Sequence, residues 1–321
     1  MKILGPLLLA ALAFWAAPAR AEFAFVALGD MPYGDPAVAY PKYKALIGAI
    51  NDLKPAFSIH IGDIKSGSSP CSDEVFAAQK GFMNSFAGAL FYIPGDNEWT
   101  DCHRPKAGGF EPVERLAKLR EMFFAEPRSL GAAPMARTRQ ADLMPAFKTY
   151  VENSRFIHDH VMIVLVHIVG SNNNFETRDP EATKEFFARQ DADVAWLADS
   201  FAKAEAPDSD IRAMVVAFHA DPLESASMWT LFPSHSGFTK VIGQTLLPLA
   251  EKFAKPVLVI HGDSHLFRVD RPFFRERRGA PIANVTRLEV FGEQNMHAVK
   301  VGVDPDSRNV FSFTPIYNPM D

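Results

Sequence analysis

The sequence is poor in the features that mark several protein classes. It holds only two cysteines and no Gly-x-Ser-x-Gly stretch, so a hydrolase built on a serine elbow lacks its motif and one built on a thiol has little to draw on. A formal net charge of -5 gives no basic field to gather polyanions, and nucleic acid is not expected as a partner. Past the N-terminus no apolar run approaches the roughly 20 residues that a spanning helix needs. Stable membrane insertion is therefore not expected. Internal repeats and low-complexity tracts are also missing.

What is present begins with Lys2, an apolar stretch over 3–17 and the small-residue tripeptide Ala19-Arg20-Ala21. Such an order reads as a secretory signal cleaved after Ala21, with an uncleaved anchor as the alternative; Pro6 and Pro18 argue against the anchor. The expected products are a signal peptide over 1–21 and one domain over 22–321, periplasmic or secreted. An oxidising compartment lets a disulfide persist, and Cys71 and Cys102 each follow a strand-like run ending in Gly-Asp. A bridge between them is expected, the alternative being two unrelated thiols.

Apolar runs at 23–28, 57–61, 90–93, 214–218 and 256–260 stop abruptly at polar residues. Continuous apolar runs of that length are what strands buried on both faces look like. Helical patterns at 37–53, 73–86, 113–124, 181–204 and 238–253 alternate with them. The 150–168 region reads as a hairpin turning near 157–160, and 288–291, 299–303 and 310–313 read as strands without helices between them. Two stacked sheets flanked by helices follow. Gly108-Gly109 and the 126–145 stretch are expected as surface excursions, of the kind that often cover a site.

Those runs end in Gly29-Asp30, Gly62-Asp63, Gly95-Asp96-Asn97-Glu98, His219 and His261-Gly262-Asp263-Ser264-His265. One Gly-Asp after a strand is ordinarily a turn and a helix cap. Three of them, followed by strands ending in His and in His-x-x-x-His, exceed what capping explains. Strand ends of an open α/β sheet converge on one crevice, and carboxylates mixed with imidazoles suit divalent first-row metals or iron. A carboxylate bridging two such ions supports in-line attack on phosphorus by an activated water.

The motif order resembles the calcineurin-like metallophosphoesterases, a superfamily showing Gly-Asp-x-His, Gly-Asp-x-x, Gly-Asn-His-Asp/Glu, a strand-end His and Gly-His-x-His, and it does so from Asp30 to His265. The departures below suggest a divergent secreted or periplasmic branch. The resemblance implies a four-layer α/β/β/α sandwich that hydrolyses phosphomonoesters or phosphodiesters of a small phosphorylated substrate. It also implies two divalent or trivalent metal ions (Mn, Fe, Zn, Mg or Ca). Carried over by position, Asp30 resembles the first-metal aspartate, Asp63 the bridging aspartate, His219 the second-metal histidine and His265 the last histidine of the fifth motif.

Four positions depart from that pattern. Tyr33 follows Asp30 where a histidine one residue earlier is usual, and is read either as a tyrosinate ligand or as a packed ring in a Pro-Tyr turn. Asp96 stands at the metal-binding asparagine and is expected to ligate. Asn97 replaces the proton-donating histidine and cannot protonate a leaving alkoxide; His103, in the same loop, is the candidate acid. Asp263 replaces the first histidine of the fifth motif, with His261 as the alternative ligand. Extra carboxylate shifts preference toward harder ions such as Mn, Mg or Ca. A rival expectation keeps the fold and its ligand binding without turnover.

Other residues take plainer readings. His158 and His160 are expected to be exposed, and Arg104 and Arg268 to be surface cations rather than an anion clamp. His167 with the 170–174 run, and Trp99 with Trp229, divide evenly between the site and ordinary turn or core positions.

Overall fold

The computed structural model describes residues 23–224, 235–274 and 279–321. The expected signal segment, its cleavage site and Trp229 lie outside the described residues. Among the described residues twelve strands form two sheets. In chain order they are β1 (Phe23–Leu28), β2 (Ser58–His60), β3 (Leu90–Tyr92), β4 (Thr138–Arg139), β5 (Ser154–His158) and β6 (Val161–Leu165). After these come β7 (Ala213–Ala217), β8 (Val257–His261), β9 (Arg268–Asp270), β10 (Val285–Glu289), β11 (Ala298–Val303) and β12 (Phe311–Ile316). One sheet runs β12-β11-β1-β2-β3 and the other β4-β5-β6-β7-β8-β10-β9. The strands that end in the motifs, β1 to β3 and β7 with β8, are parallel within their own sheets.

Side-chain alternation along each strand explains the layering. Phe25 and Ala27 of β1, Ile163 and Leu165 of β6, and Leu258 and Ile260 of β8 point into one apolar layer between the sheets. Val26 and Leu28 instead pack with Tyr43, Leu46, Phe76, Leu116 and Leu119 of the helices Pro36–Leu53, Asp73–Asn84 and Pro112–Phe123. Met162, Val164, Val257 and Val259 pack with Trp196 and Phe201 of the Pro180–Ala204 helix and with Leu246 and Phe253. A strand buried on both faces has no polar face to show, hence the unbroken apolar runs. The layers are helix, sheet, sheet and helix, the expected sandwich.

The helix expected at 238–253 is divided. A π-helical run, Thr239–Leu246, precedes an α-helix, Leu247–Phe253. Pro248 has no N–H to return to Gln244, and its ring crowds that carbonyl, so the chain widens ahead of it. The 126–145 stretch is not a cover over the cleft described below, among whose lining residues it has none. It runs instead along sheet edges, Leu130 bridging to Leu90 and Thr138–Arg139 pairing with β5. The Cys71–Cys102 disulfide is formed, closing a sequence separation of 31. It ties the loop after β2 to the loop after β3, the two loops that carry Asp63 and Asp96.

Candidate metal centre

At the ends of β1, β2 and β8 the backbone turns sharply. Asp30 (φ 54°), Asp63 (φ 54°), Asp263 (φ 75°) and His265 (φ 61°) all occupy the left-handed region. Strain at non-glycine residues persists where surrounding contacts over-determine it, and it gathers at functional sites. Close backbone approach supplies those contacts. A Cβ on Gly62 would sit 2.3 Å from the Gly95 nitrogen, and one on Gly95 would sit 2.2 Å from Asp63 Oδ1.

Five residues meet in the cleft between the sheet ends. His219 Nε2 lies 3.0 Å from Asp96 Oδ1, 3.4 Å from Asp63 Oδ1 and 3.6 Å from Asp263 Oδ1. Its Nδ1 is 3.0 Å from the Ile61 carbonyl and 3.9 Å from Asp30 Oδ1. Among the described residues two groups have ligand atoms within 4.8 Å of one another, Asp30 with Asp63 and His219, and Asp96 with His219 and Asp263. His265 stands at the margin, its Nε2 3.7 Å from Asp30 Oδ1 and its ring edge-on to Tyr33.

The electrostatics are those of acids gathered without enough countercharge. Burial pushes the Asp30 carboxyl well above the usual range, the Asp263 and Asp96 charges add to that, and His219 opposes it. Asp63 is raised in the same way, by burial first. Burial alone would strip His219 of its proton, but Asp63, Asp263 and Asp96 outweigh it and hold the imidazole charged well above its ordinary value. Asp96 stays low because bonds from His219 and Ser171 override its burial. Asp30 Oδ2 is buried without a hydrogen-bond partner. Burying such a carboxylate is costly unless it is paired or coordinates a cation. The donor set therefore fits divalent ions, with Asp30, Asp63, Asp96, His219 and Asp263 as the residues that could hold them.

Surrounding groups fix these carboxylates. Glu98, wholly buried, accepts from the backbone nitrogens of Asp63 (3.1 Å) and Gly95 (2.7 Å) and from Tyr92 Oη (2.8 Å). Tyr33 donates to Asp63 Oδ2, as does the Asn97 amide, and burial with the Asp63 charge keeps the Tyr33 phenol neutral. Asn97 thus faces a carboxylate. His103 is exposed, leans on the Thr100 carbonyl at 2.7 Å and lines the same cleft. His261 is buried with Nδ1 3.1 Å from the Gly262 carbonyl and Nε2 3.9 Å from Asp221, and it belongs to neither group of close ligand atoms.

The residues given plainer or divided readings fall into place around these groups. Trp99 is fully buried beneath Arg189 and His167, away from the cleft lining. His167 is buried on Glu152. Arg104 does line the cleft but is paired to Asp101 at 2.6 Å, while Arg268 is paired to Glu289 at 3.5 Å. His158 packs edge-on against Phe23, and His160 pairs with Asp210. Sequence reasoning passed over Asp221, whose backbone nitrogen donates to Asp263 Oδ2 (3.1 Å) and whose carboxylate accepts from Ser264 (2.7 Å). Its place two residues past a strand-end histidine was the available clue. Of the 170–174 run, left open between site and turn, Ser171 does reach the site, with Oγ 2.7 Å from Asp96 Oδ2.

The cleft has a volume of about 720 Å³, and its wall beyond the ligand candidates carries Asp101, Glu111, Glu176, Asp179 and Glu224. No protein-family model matches the sequence, and no curated protein matches it. Solved structures do share the fold. The structure titled PhoD is 10% identical with TM-score 0.55, over 88% of this chain and 64% of that one. A dimetal phosphatase from Danio rerio is 9% identical with TM-score 0.53, over 93% and 99% of the two chains. A purple acid phosphatase from yellow lupin (Lupinus luteus) seeds is 13% identical with TM-score 0.51, over 92% of this chain and 53% of that one. The chain spans less than two thirds of the PhoD and lupin chains. The motif resemblance and the architecture agree on one fold, that of the metallo-dependent phosphatases.

Proposed function

We propose that this protein is a metal-dependent phosphoester hydrolase, exported by its N-terminal segment and acting through a single domain over 22–321. The observation that carries this is the convergence of Asp30, Asp63, Asp96, His219 and Asp263 within a few ångströms beneath one cleft, which Asp63, Asp96 and Asp263 line. Two cations held there, on Asp30, Asp63 and His265 for the first and Asp63, Asp96, His219 and Asp263 for the second, would polarise a phosphoryl oxygen and acidify a coordinated water. The acidic wall supports the need for them. With Arg104 spent on Asp101, the carboxylates Glu111, Glu176, Asp179 and Glu224 would repel a phosphate dianion unless bound cations reversed the local field.

The chain's own groups divide the remaining work. Asp63, gripped by Tyr33 and Asn97 on Oδ2 and by the Asn97 backbone nitrogen on Oδ1 at 3.0 Å, is oriented before any ligand arrives. Asn97 positions rather than protonates, and His103, which lines the cleft, is the candidate to return a proton to a departing alkoxide. A small phosphorylated substrate suits the cleft's size. The test is hydrolysis of aryl phosphate mono- and diesters with each of several divalent ions, where turnover lost on Asp63→Asn supports the proposal and no turnover with any ion contradicts it. A second reading, a ligand-binding protein without turnover, is favoured by one observation: the Asn97 amide is committed to Tyr33 Oη (2.7 Å) and Asp63.

A further inference from the structure

Beside the cleft, four consecutive non-glycine residues adopt left-handed backbone: Ser171 (φ 50°), Asn172 (φ 55°), Asn173 (φ 57°) and Asn174 (φ 59°). L-residues pay a steric cost in that region, least for asparagine, and rarely string such positions together. A dense set of bonds keeps them there. Arg189, wholly buried on the Pro180–Ala204 helix, gives Nη1 to Asn173 Oδ1 (2.6 Å) and the His167 carbonyl (2.8 Å), and Nη2 to the Asn173 carbonyl (2.9 Å). Its Nε is held by Glu185 (2.7 Å), which also accepts from Asn174 Nδ2 (2.8 Å). Asn172 Oδ1 accepts from the Gly237 nitrogen (2.9 Å) and Asn173 Nδ2 donates to its carbonyl (3.2 Å).

The first residue of the turn reaches the ligand candidates. Ser171 Oγ is 2.7 Å from Asp96 Oδ2 and 3.2 Å from Asp101 Oδ1. A hydroxyl has one proton to give, and the shorter contact marks Asp96 as its acceptor. With Oδ2 engaged, Asp96 presents Oδ1 to His219 Nε2 at 3.0 Å. Directly before it, Gly170 leaves no room for a side chain, since a Cβ there would lie 2.7 Å from both Asp96 Oδ1 and Asp263 Oδ1. The turn forms the wall of the second ligand group.

We propose that Ser171, presented by the left-handed turn that Arg189 locks, is a positioning residue for that group: it engages Asp96 Oδ2 so that Oδ1 faces His219 and Asp263. This rests on Asp96, His219 and Asp263 taking a cation. Groups that hydrogen-bond metal ligands commonly contribute ten- to a hundredfold in affinity.

Calorimetric titration of the metal-free full chain with Mn²⁺, alongside thermal unfolding of the same metal-free samples, tests it with Ser171→Ala and Ser171→Gly. Both substitutions remove the hydroxyl, but glycine relieves the left-handed strain that alanine retains. The expected result is that both weaken one site about tenfold, leave any other site unchanged, and do so although Ser171→Gly unfolds at a higher temperature than Ser171→Ala. Wild-type affinity in both variants would overturn the positioning role alone, as would affinities that follow unfolding temperature instead of the hydroxyl. A wild type that binds no ion would overturn the metal centre and the positioning role together, and one that binds a single ion is judged by the same pair of variants.

Discussion

The first sheet delivers Asp30, Asp63 and Asp96 to the cleft, all carboxylates, at 0%, 2% and 6% exposure, while the second delivers His219, Asp263 and His265, with side chains from 0% to 17% and 26% exposed. The two walls differ in support as well as in chemistry. On the first, Glu98, Tyr33, Asn97 and the Cys71–Cys102 bridge fasten the acids from behind. On the second, backbone bonds to His219 and Asp263 do the fastening, while Ser171, carried by the second sheet, reaches across to Asp96 of the first. Three buried acids cannot all ionise in a dry site at no cost. The imidazole wall offsets part of that charge through the His219 proton, and a cation would offset more. The division of labour is a rigid anionic wall facing a more accessible imidazole wall.

Removing one acid from each wall is the strongest way to break that contrast. Asp63→Asn should lower kcat/KM for an aryl phosphate about ten-thousandfold, on the order of 5.5 kcal/mol of transition-state stabilisation, whereas Asp263→Asn should cost only about ten- to a hundredfold. Equal losses would erase the distinction. Gly62→Ala strikes the backbone of the first wall, placing a methyl 2.3 Å from the Gly95 nitrogen at φ 99°, and should lower stability by about 4 kcal/mol in urea titration. A value under about 1 kcal/mol would mean that the wall yields easily.

Replacing Cys71 and Cys102 together by serine opens a loop with sequence separation 31 and should cost about 3–4 kcal/mol by loop-closure entropy. Hydrogen exchange should then rise in the loops after β2 and β3 while β6 to β8 keep their protection. The smallest effect lies behind the second wall. Burial raises the Asp193 carboxyl to about 8, with Arg189 opposing. A carboxyl raised in the folded state costs stability as pH climbs from its unfolded value near 4, and costs nothing below that. Asp193→Asn should therefore stabilise by about 1 kcal/mol at pH 7.5 and leave pH 4 unchanged, checked by urea midpoints at both values.

Much of the fold was legible in the sequence for a local reason. Runs such as 23–28 and 214–218 are apolar on both faces and end in Gly-Asp or His, so strand position and site position were carried by the same residues. The halves of the Tyr150 to Ile168 region paired as a hairpin, Phe156 against Ile163. The divided helix near Pro248 turned on one missing N–H, a cue visible but outweighed by the apolar periodicity around it. The 126–145 stretch is the surface excursion expected, but composition tells that a segment is irregular without telling which edge it follows. Asp221 and Arg189 escaped as site residues, and the 170–174 run was left open, for a further reason: their roles exist only once distant strand ends are brought together, and no local spacing encodes a 2.7 Å contact between residues 171 and 96.

The most direct test is metal content per chain, by elemental mass spectrometry, of the full-length protein loaded with Mn²⁺, Zn²⁺ or Fe²⁺ and freed of excess, wild type beside Asp63→Asn and His219→Ala. Two ions per wild-type chain, with loss in each variant whose folding is intact by circular dichroism, is the predicted result. A wild-type chain that retains none of the three ions while folded would contradict a metal centre built between the two sheets.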